Sequence, residues 1–130
     1  MSIKTPVHSS KAPAAIGPYS QAIVSTGSKT MFASGQIPLD SQTGELIEGN
    51  IEAQIRKVLD NMGHVAHAAG IGLDDAAKIN VFLIDLSNFQ IVNQVMEEYF
   101  TEPYPARAAV QVSALPKGAE VEMDAVFTFD

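Results

Sequence analysis

Arg107 lies in Tyr104-Pro105-Ala106-Arg107-Ala108-Ala109-Val110, a stretch otherwise almost free of charge. A guanidinium stays ionised at physiological pH and offers a planar fork of N–H donors that matches a carboxylate. At the start of an apolar strand it calls for an anionic partner, either a protein carboxylate or a ligand. Strand alternation places Arg107, Ala109, Gln111 and Ser113 on one side of this segment. The next segment, Glu120 to Phe129, sets Val121, Met123, Ala125, Phe127 and Phe129 on one face and Glu120, Glu122, Asp124 and Thr128 on the other, with Val126 the exception. A turn at Leu115-Pro116-Lys117-Gly118 is expected to pair the two strands and bring Arg107 near one of the carboxylates. A cross-strand or intersubunit salt bridge explains the same pattern with no function attached.

Other residue types carry less chemistry. Glu120, Glu122 and Asp124 stand at every second position, but a strand row diverges with the pleat and is a poor oxygen cage for a metal. His64 and His67 fall on the expected solvent face of a helix, with no HExxH arrangement, and His8 stands apart. There is no cysteine, hence no disulfide or thiolate, and no G-x-S-x-G stretch. Gly35 after Ser34 permits close backbone approach by a ligand. Tyr19, behind Gly17-Pro18, can form a pocket wall with a hydroxyl handle.

The elements that position these residues read as β-β-α-β-α-β-β. Residues 5–18 read as an extended arm. Tyr19 to Thr26 and Thr30 to Ser34 read as a hairpin about Gly27-Ser28-Lys29. Asn50 caps a helix running to Gly70, with Ile51, Ile55, Val58, Leu59, Met62, Val65, Ala66 and Ala69 on one face. Ala76 to Leu86 is a strand apolar enough to be central. Ser87 with Gln90 resembles a capping box for a helix ended by Pro103 and Pro105. Ala108 to Ala114 is the fifth strand. Two helices cover one face of such a sheet, so the other meets water or another subunit.

The 130 residues fit one domain, and 46% hydrophobic content supports a core. A net charge of −7, with no Lys/Arg run, argues against a nucleic-acid surface. No apolar run approaches the ~20 residues that span a bilayer, and the N-terminus lacks an apolar signal core, so a cytoplasmic setting is expected.

Taken together the chain resembles the Rid (YjgF) family of reactive intermediate deaminases, most closely its RidA subgroup. The resemblance rests on Ala12-Pro13-Ala14-Ala15-Ile16-Gly17-Pro18-Tyr19-Ser20-Gln21, Ser34-Gly35-Gln36-Ile37-Pro38, Val81 to Phe89, Pro105-Ala106-Arg107, and Leu115-Pro116-Lys117 with Glu122. It implies one Rid-type domain over residues 1–130, with a chorismate-mutase-like α+β fold: one mixed sheet with two helices on one face. It further implies a homotrimer with ligand clefts between subunits and no cofactor or metal. The implied activity is hydrolysis of 2-imino acids, such as 2-iminobutanoate and 2-iminopropanoate, to 2-oxo acids and ammonia. These imines and their enamine tautomers escape from pyridoxal-phosphate enzymes.

On that likeness Arg107 clamps the substrate carboxylate, helped by the N–H groups of Ala108 and Ala109. Glu122 positions or activates water, while Tyr19 and Ser34 line the cleft. Many relatives carry cysteine where this chain has Ala109, so a thiol nucleophile is ruled out here. The alternatives are a non-catalytic, small-carboxylate-binding trimer, or a ribonuclease or translation inhibitor, against which the acidic pI near 4.8 weighs.

Overall fold

In a computed structural model, residues 3–130 are described; Met1 and Ser2, the start of the segment read as lacking a signal core, lie outside them. Six strands and two helices follow in the order β1 (Ile3–Val7), β2 (Ala22–Thr26), β3 (Lys29–Gln36), α1 (Ile51–Ala68), β4 (Ala76–Leu83), α2 (Phe89–Tyr99), β5 (Ala106–Gln111) and β6 (Val121–Phe129). The expected α+β mixed sheet with two helices is present. Four strands form it in the order β3-β6-β4-β5, and β1 pairs with β2 in a separate ribbon.

The first helix follows its sequence signals closely. Asn50 Oδ1 accepts from the Ala53 N–H at 3.0 Å. Gly70, at φ +80°, turns the chain out after the last turn, where an L side chain would be strained. Ile55, Val58, Leu59, Met62 and Ala66 are buried against the sheet. From the other side come Ile79, Val81 and Leu83 of β4 and Val121, Met123, Ala125 and Phe127 of β6, with Val92, Val95 and Met96 of α2 completing the core. His64 and His67 are exposed, as expected.

Four expectations are corrected. Part of the arm is the strand β1: Pro6 lowers the strand signal, but at an edge its missing N–H is no loss, and it lies opposite Ile23. β2 does not pair with β3 as a hairpin; β1 takes its ladder. The Ser87 capping box does not form. Instead Asp85 accepts from both the N–H and the hydroxyl of Ser87, at 2.9 and 2.7 Å, and a short 3-10 turn leads into α2.

Most consequential, β5 does not pair with β6. The connection β4-α2-β5 makes β5 a parallel neighbour of β4, and β6 returns antiparallel on the opposite edge of β4. The corner at Pro116–Gly118 has Lys117 and Gly118 at positive φ (60° and 75°) and carries the chain across the end of β4 instead of closing a hairpin. β4 is thus central, as its apolarity indicated.

The face of the sheet away from the helices keeps apolar side chains in the open. Register aligns Phe32 with Val126, and Phe82 with Val110, on that face. Phe32 is 77% exposed and Val110 46%. By contrast Phe127, opposite Met31 on the helix side, is fully buried. Phe127→Ala is expected to lower stability by about 3–5 kcal/mol in chemical denaturation. A loss below ~1 kcal/mol would contradict this placement of the core.

Candidate functional site

The backbone of β5 sets the position of Arg107. Arg107 lies opposite Ile79, whose side chain is buried on the helix side, so the guanidinium projects toward α2. There Phe89, Asn93 and Met96, spaced i, i+4, i+7, present one stripe of the helix to it. Nη1 donates to Asn93 Oδ1 at 2.7 Å and touches Met96 Sδ at 3.6 Å. The guanidinium carbon sits 4.8 Å from the Tyr19 ring centroid and 4.9 Å from that of Phe89. Cation–π contact and one amide therefore hold the charge in place.

Among the described residues no carboxylate forms an ion pair with Arg107. The cross-strand salt bridge that offered the plain explanation of this arginine does not form among the described residues. Burial pushes its pKa below the ordinary guanidinium value, partly opposed by Tyr19. The group nevertheless remains charged at any physiological pH. Nη2 and Nε donate to no described residue. Arg107 lines a cavity of about 200 Å³ together with Tyr19, Phe89 and Ala109.

Tyr19 is placed by its own turn. Its N–H donates to Gly17 O at 2.8 Å, and its hydroxyl accepts from the Ile16 N–H at 3.4 Å. Behind it, Ser20 bridges to β5: its N–H donates to Pro105 O at 3.0 Å and its hydroxyl to Tyr104 O at 2.6 Å. The parallel bridge between Ser20 and Ala106 uses the outer edge of β5 at its start. At the far end, Val112 donates inward to Leu83 O at 2.8 Å. Alternation between these two bonds turns the Ala108 N–H inward to β4 and leaves the Ala109 N–H on the free edge. Of the two backbone donors expected from sequence, Ala109 is therefore available and Ala108 belongs to the ladder.

Glu122 lies elsewhere in the protomer. It is level with Phe82 of β4, whereas Arg107 is level with Ile79, two strands and three residues away. Strand spacings put their Cα atoms about 14 Å apart. Their side chains also leave the sheet on opposite faces. The expected meeting of the two through β5–β6 pairing does not occur within one chain.

Glu122 instead packs on Gly35. Between Ala33 and Gln36 the β3–β6 register shifts, so that Ser34 and Gly35 together span a single partner position. A Cβ at Gly35 would lie 2.5 Å from Glu122 Oε2, so glycine is what lets the carboxylate rest against this backbone. Ser34 is exposed beside it. The other two acids of the row are occupied separately: Glu120 accepts from Gln54 Nε2 at 2.8 Å, and Asp124 from Asn80 Nδ2 at 2.8 Å.

The predicted site residues thus fall into two separate groups in the protomer, one around Arg107, Tyr19 and Ala109, the other around Glu122, Gly35 and Ser34. Asn93 and Phe89 were not singled out from sequence. Their common spacing with Met96 on one helical stripe was the available signal, but it reads as ordinary core without knowing that Arg107 lies beneath.

This is an α+β protein whose half-buried arginine opens on a small edge-strand cavity. The family model described as Endoribonuclease L-PSP matches residues 9–128, nearly the whole chain. The chain belongs to this family, which is also known as the YjgF or Rid family. It is 42% identical to the human 2-iminobutanoate/2-iminopropanoate deaminase, over 95% of this chain and 89% of that protein. It is 48% identical to Protein DfrA of Myxococcus xanthus, over 92% of both. A crystal structure of RidA from the Antarctic bacterium Psychrobacter superposes with a TM-score of 0.74 at 48% identity, covering 95% of this chain and 98% of that one.

Asn93→Ala removes one anchor of the guanidinium without touching its charge. Losing one hydrogen bond to a charged group should weaken binding of a small 2-oxo acid about tenfold in calorimetry. Unchanged affinity would show that Arg107 needs no support from α2.

Proposed function

We propose that the protein hydrolyses 2-imino acids to 2-oxo acids and ammonia, as a homotrimer of one-domain Rid-type subunits acting in the cytoplasm without a cofactor. The observation that carries this reading is a half-buried guanidinium, oriented by Asn93 and two rings, with no carboxylate of its own. A substrate carboxylate supplies the missing charge. The name of the human relative, a 2-iminobutanoate/2-iminopropanoate deaminase, supports the same chemistry.

Arg107 binds the carboxylate through its free N–H groups, and the Ala109 N–H adds a third donor from the strand edge. The fixed carboxylate in turn fixes the C=N carbon beside it. Glu122 accepts a hydrogen bond from water and aims it at that carbon. The C–O bond forms, the water protons pass by way of Glu122 to nitrogen, and the C–N bond breaks to release ammonia and the 2-oxo acid. Tyr19 walls the carboxylate side, and Ser34 lines the Glu122 side. An imine is already electrophilic, so orientation and one acid/base group are the whole demand on the protein.

Since one protomer separates Arg107 from Glu122, a working site takes Arg107 from one copy and Glu122 from the next. The uncovered apolar face with Phe32 and Val110 is the surface a second and third copy would bury.

Coupling the protein to a threonine dehydratase tests the activity, with 2-oxobutanoate formation as readout. Wild type should accelerate it. Arg107→Ala should lose about a hundredfold or more in kcat/KM, through two charge-assisted hydrogen bonds. Glu122→Gln should keep affinity for 2-oxobutanoate while kcat falls about 10²–10⁴-fold. Full activity in either variant would sink these roles. Ligand binding with no turnover in wild type would favour a non-catalytic carboxylate-binding module.

A further inference from the structure

We infer that Gln21 is a positioning residue for the carboxylate site: its side chain clasps residues 9–13 and so fixes the loop that lays Tyr19 over Arg107. This rests on Arg107 being the carboxylate site proposed above. Tyr19 stands in a loop that leaves the β1–β2 ribbon after Val7 and rejoins it at Ala22, where the two residues pair. Residues 8–14 of that loop are all exposed. The hydrophobic core contains no residue of the loop, so apolar burial does not hold this segment.

Gln21 supplies what packing does not. Its Oε1 accepts from the Ser9 N–H at 2.6 Å. Its Nε2 donates to Pro13 O at 2.6 Å, and to Ser9 O and Ala12 O at 3.2 and 3.4 Å. An amide has two N–H groups, so one of them is shared between carbonyls. A single side chain thus ties both ends of the 9–13 segment to a position just beyond Tyr19 and Ser20.

The loop then meets the site at two points. The Tyr19 ring covers the guanidinium at 4.8 Å, and its hydroxyl accepts from the Ile16 N–H at 3.4 Å. Gly17 lies against the Asn93 amide: a Cβ there would stand 3.5 Å from Asn93 Oδ1, the atom that accepts from Arg107 Nη1. Ser20 fixes one side of Tyr19 through its bonds to Tyr104 and Pro105. Gln21 fixes the other by holding the segment that leads into Ala14 to Gly17. Without the clasp, residues 9–16 regain conformational freedom, and the ring and Gly17 are held from one side alone. The guanidinium then keeps its charge and loses its orientation. It grips the carboxylate alike before and during the reaction, so the loss falls on KM rather than kcat.

Gln21→Met keeps the length of the side chain and removes its four bonds. With imine produced from threonine by varied amounts of dehydratase, KM should rise about tenfold while kcat stays within about twofold of wild type. The Kd of 2-oxobutanoate in calorimetry should rise about tenfold too. Trypsin gives a readout independent of turnover. The exposed Lys11–Ala12 bond should be cut at least about tenfold faster in Gln21→Met, and saturating 2-oxobutanoate should slow that cut, because a ligand on Arg107 and an ordered loop favour one another. Gln21→Glu, which keeps the acceptor for Ser9 and loses both donors at neutral pH, should show the same shifts. Wild-type KM and affinity in both variants overturn the inference. Faster cutting at Lys11 with unchanged affinity overturns it as well, since the clasp would then order the loop without serving the site. Loss of the folded state in both variants also overturns it, by making the clasp a support of the fold. If wild type binds 2-oxobutanoate but turns over no imine, the deaminase reading falls, and affinity and trypsin cutting still decide the role of Gln21.

Discussion

An arginine held half-buried without a carboxylate is the constraint around which this structure is arranged. Taking a guanidinium out of water is costly unless fixed dipoles, rings or an opposite charge replace the solvent. Here Asn93, the faces of Tyr19 and Phe89, and Met96 supply part of that replacement. Tyr19 is set by the Gly17-Pro18 turn and the Ser20 bridge to β5, while Phe89 and Asn93 are set by α2. Two separate segments therefore converge on the cation carried by β5, and what they leave open is the small cavity beside Ala109.

The central position of β4 has an equally large effect. Because β5 and β6 lie on its two edges, the strands carrying Arg107 and Glu122 are never neighbours. Their opposite faces follow from register, since a side chain level with Ile79 and one level with Phe82 leave the sheet in opposite directions. The β3 bulge then presses Gly35 to Glu122 and gives the carboxylate its own anchorage. Each group of residues thus has its own supports within the protomer. The proposed assembly of copies through the uncovered face would bring the two groups together and cover Phe32.

Local signals in the sequence were reliable where one element decides the outcome. Asn50 and Gly70 bound α1, its apolar stripe faces the core, and the alternation of β6 sorts Phe127 from Glu122. They failed where tertiary pairing decides. The proximity of the fifth and sixth strands along the chain suggested a hairpin, but the α2 crossover claims one edge of β4 and leaves the other to β6. Pro6 hid an edge strand, and the Ser87 capping box lost to Asp85. Arg107, Tyr19 and Glu122 stood out by residue type and motif. Asn93 and Phe89 did not, because their role depends on which strand lies under α2.

The central claim is that one working site joins Arg107 of one copy to Glu122 of another. Mixing inactive variants tests it most directly. Arg107→Ala and Glu122→Gln are each purified, unfolded, and refolded together in equal amounts, and imine hydrolysis is measured. In random mixed trimers about a quarter of the sites receive an intact arginine and an intact glutamate, so about a quarter of wild-type activity should return. No recovery, with mixed trimers demonstrably formed, would mean that both residues serve from the same chain, and would contradict the account.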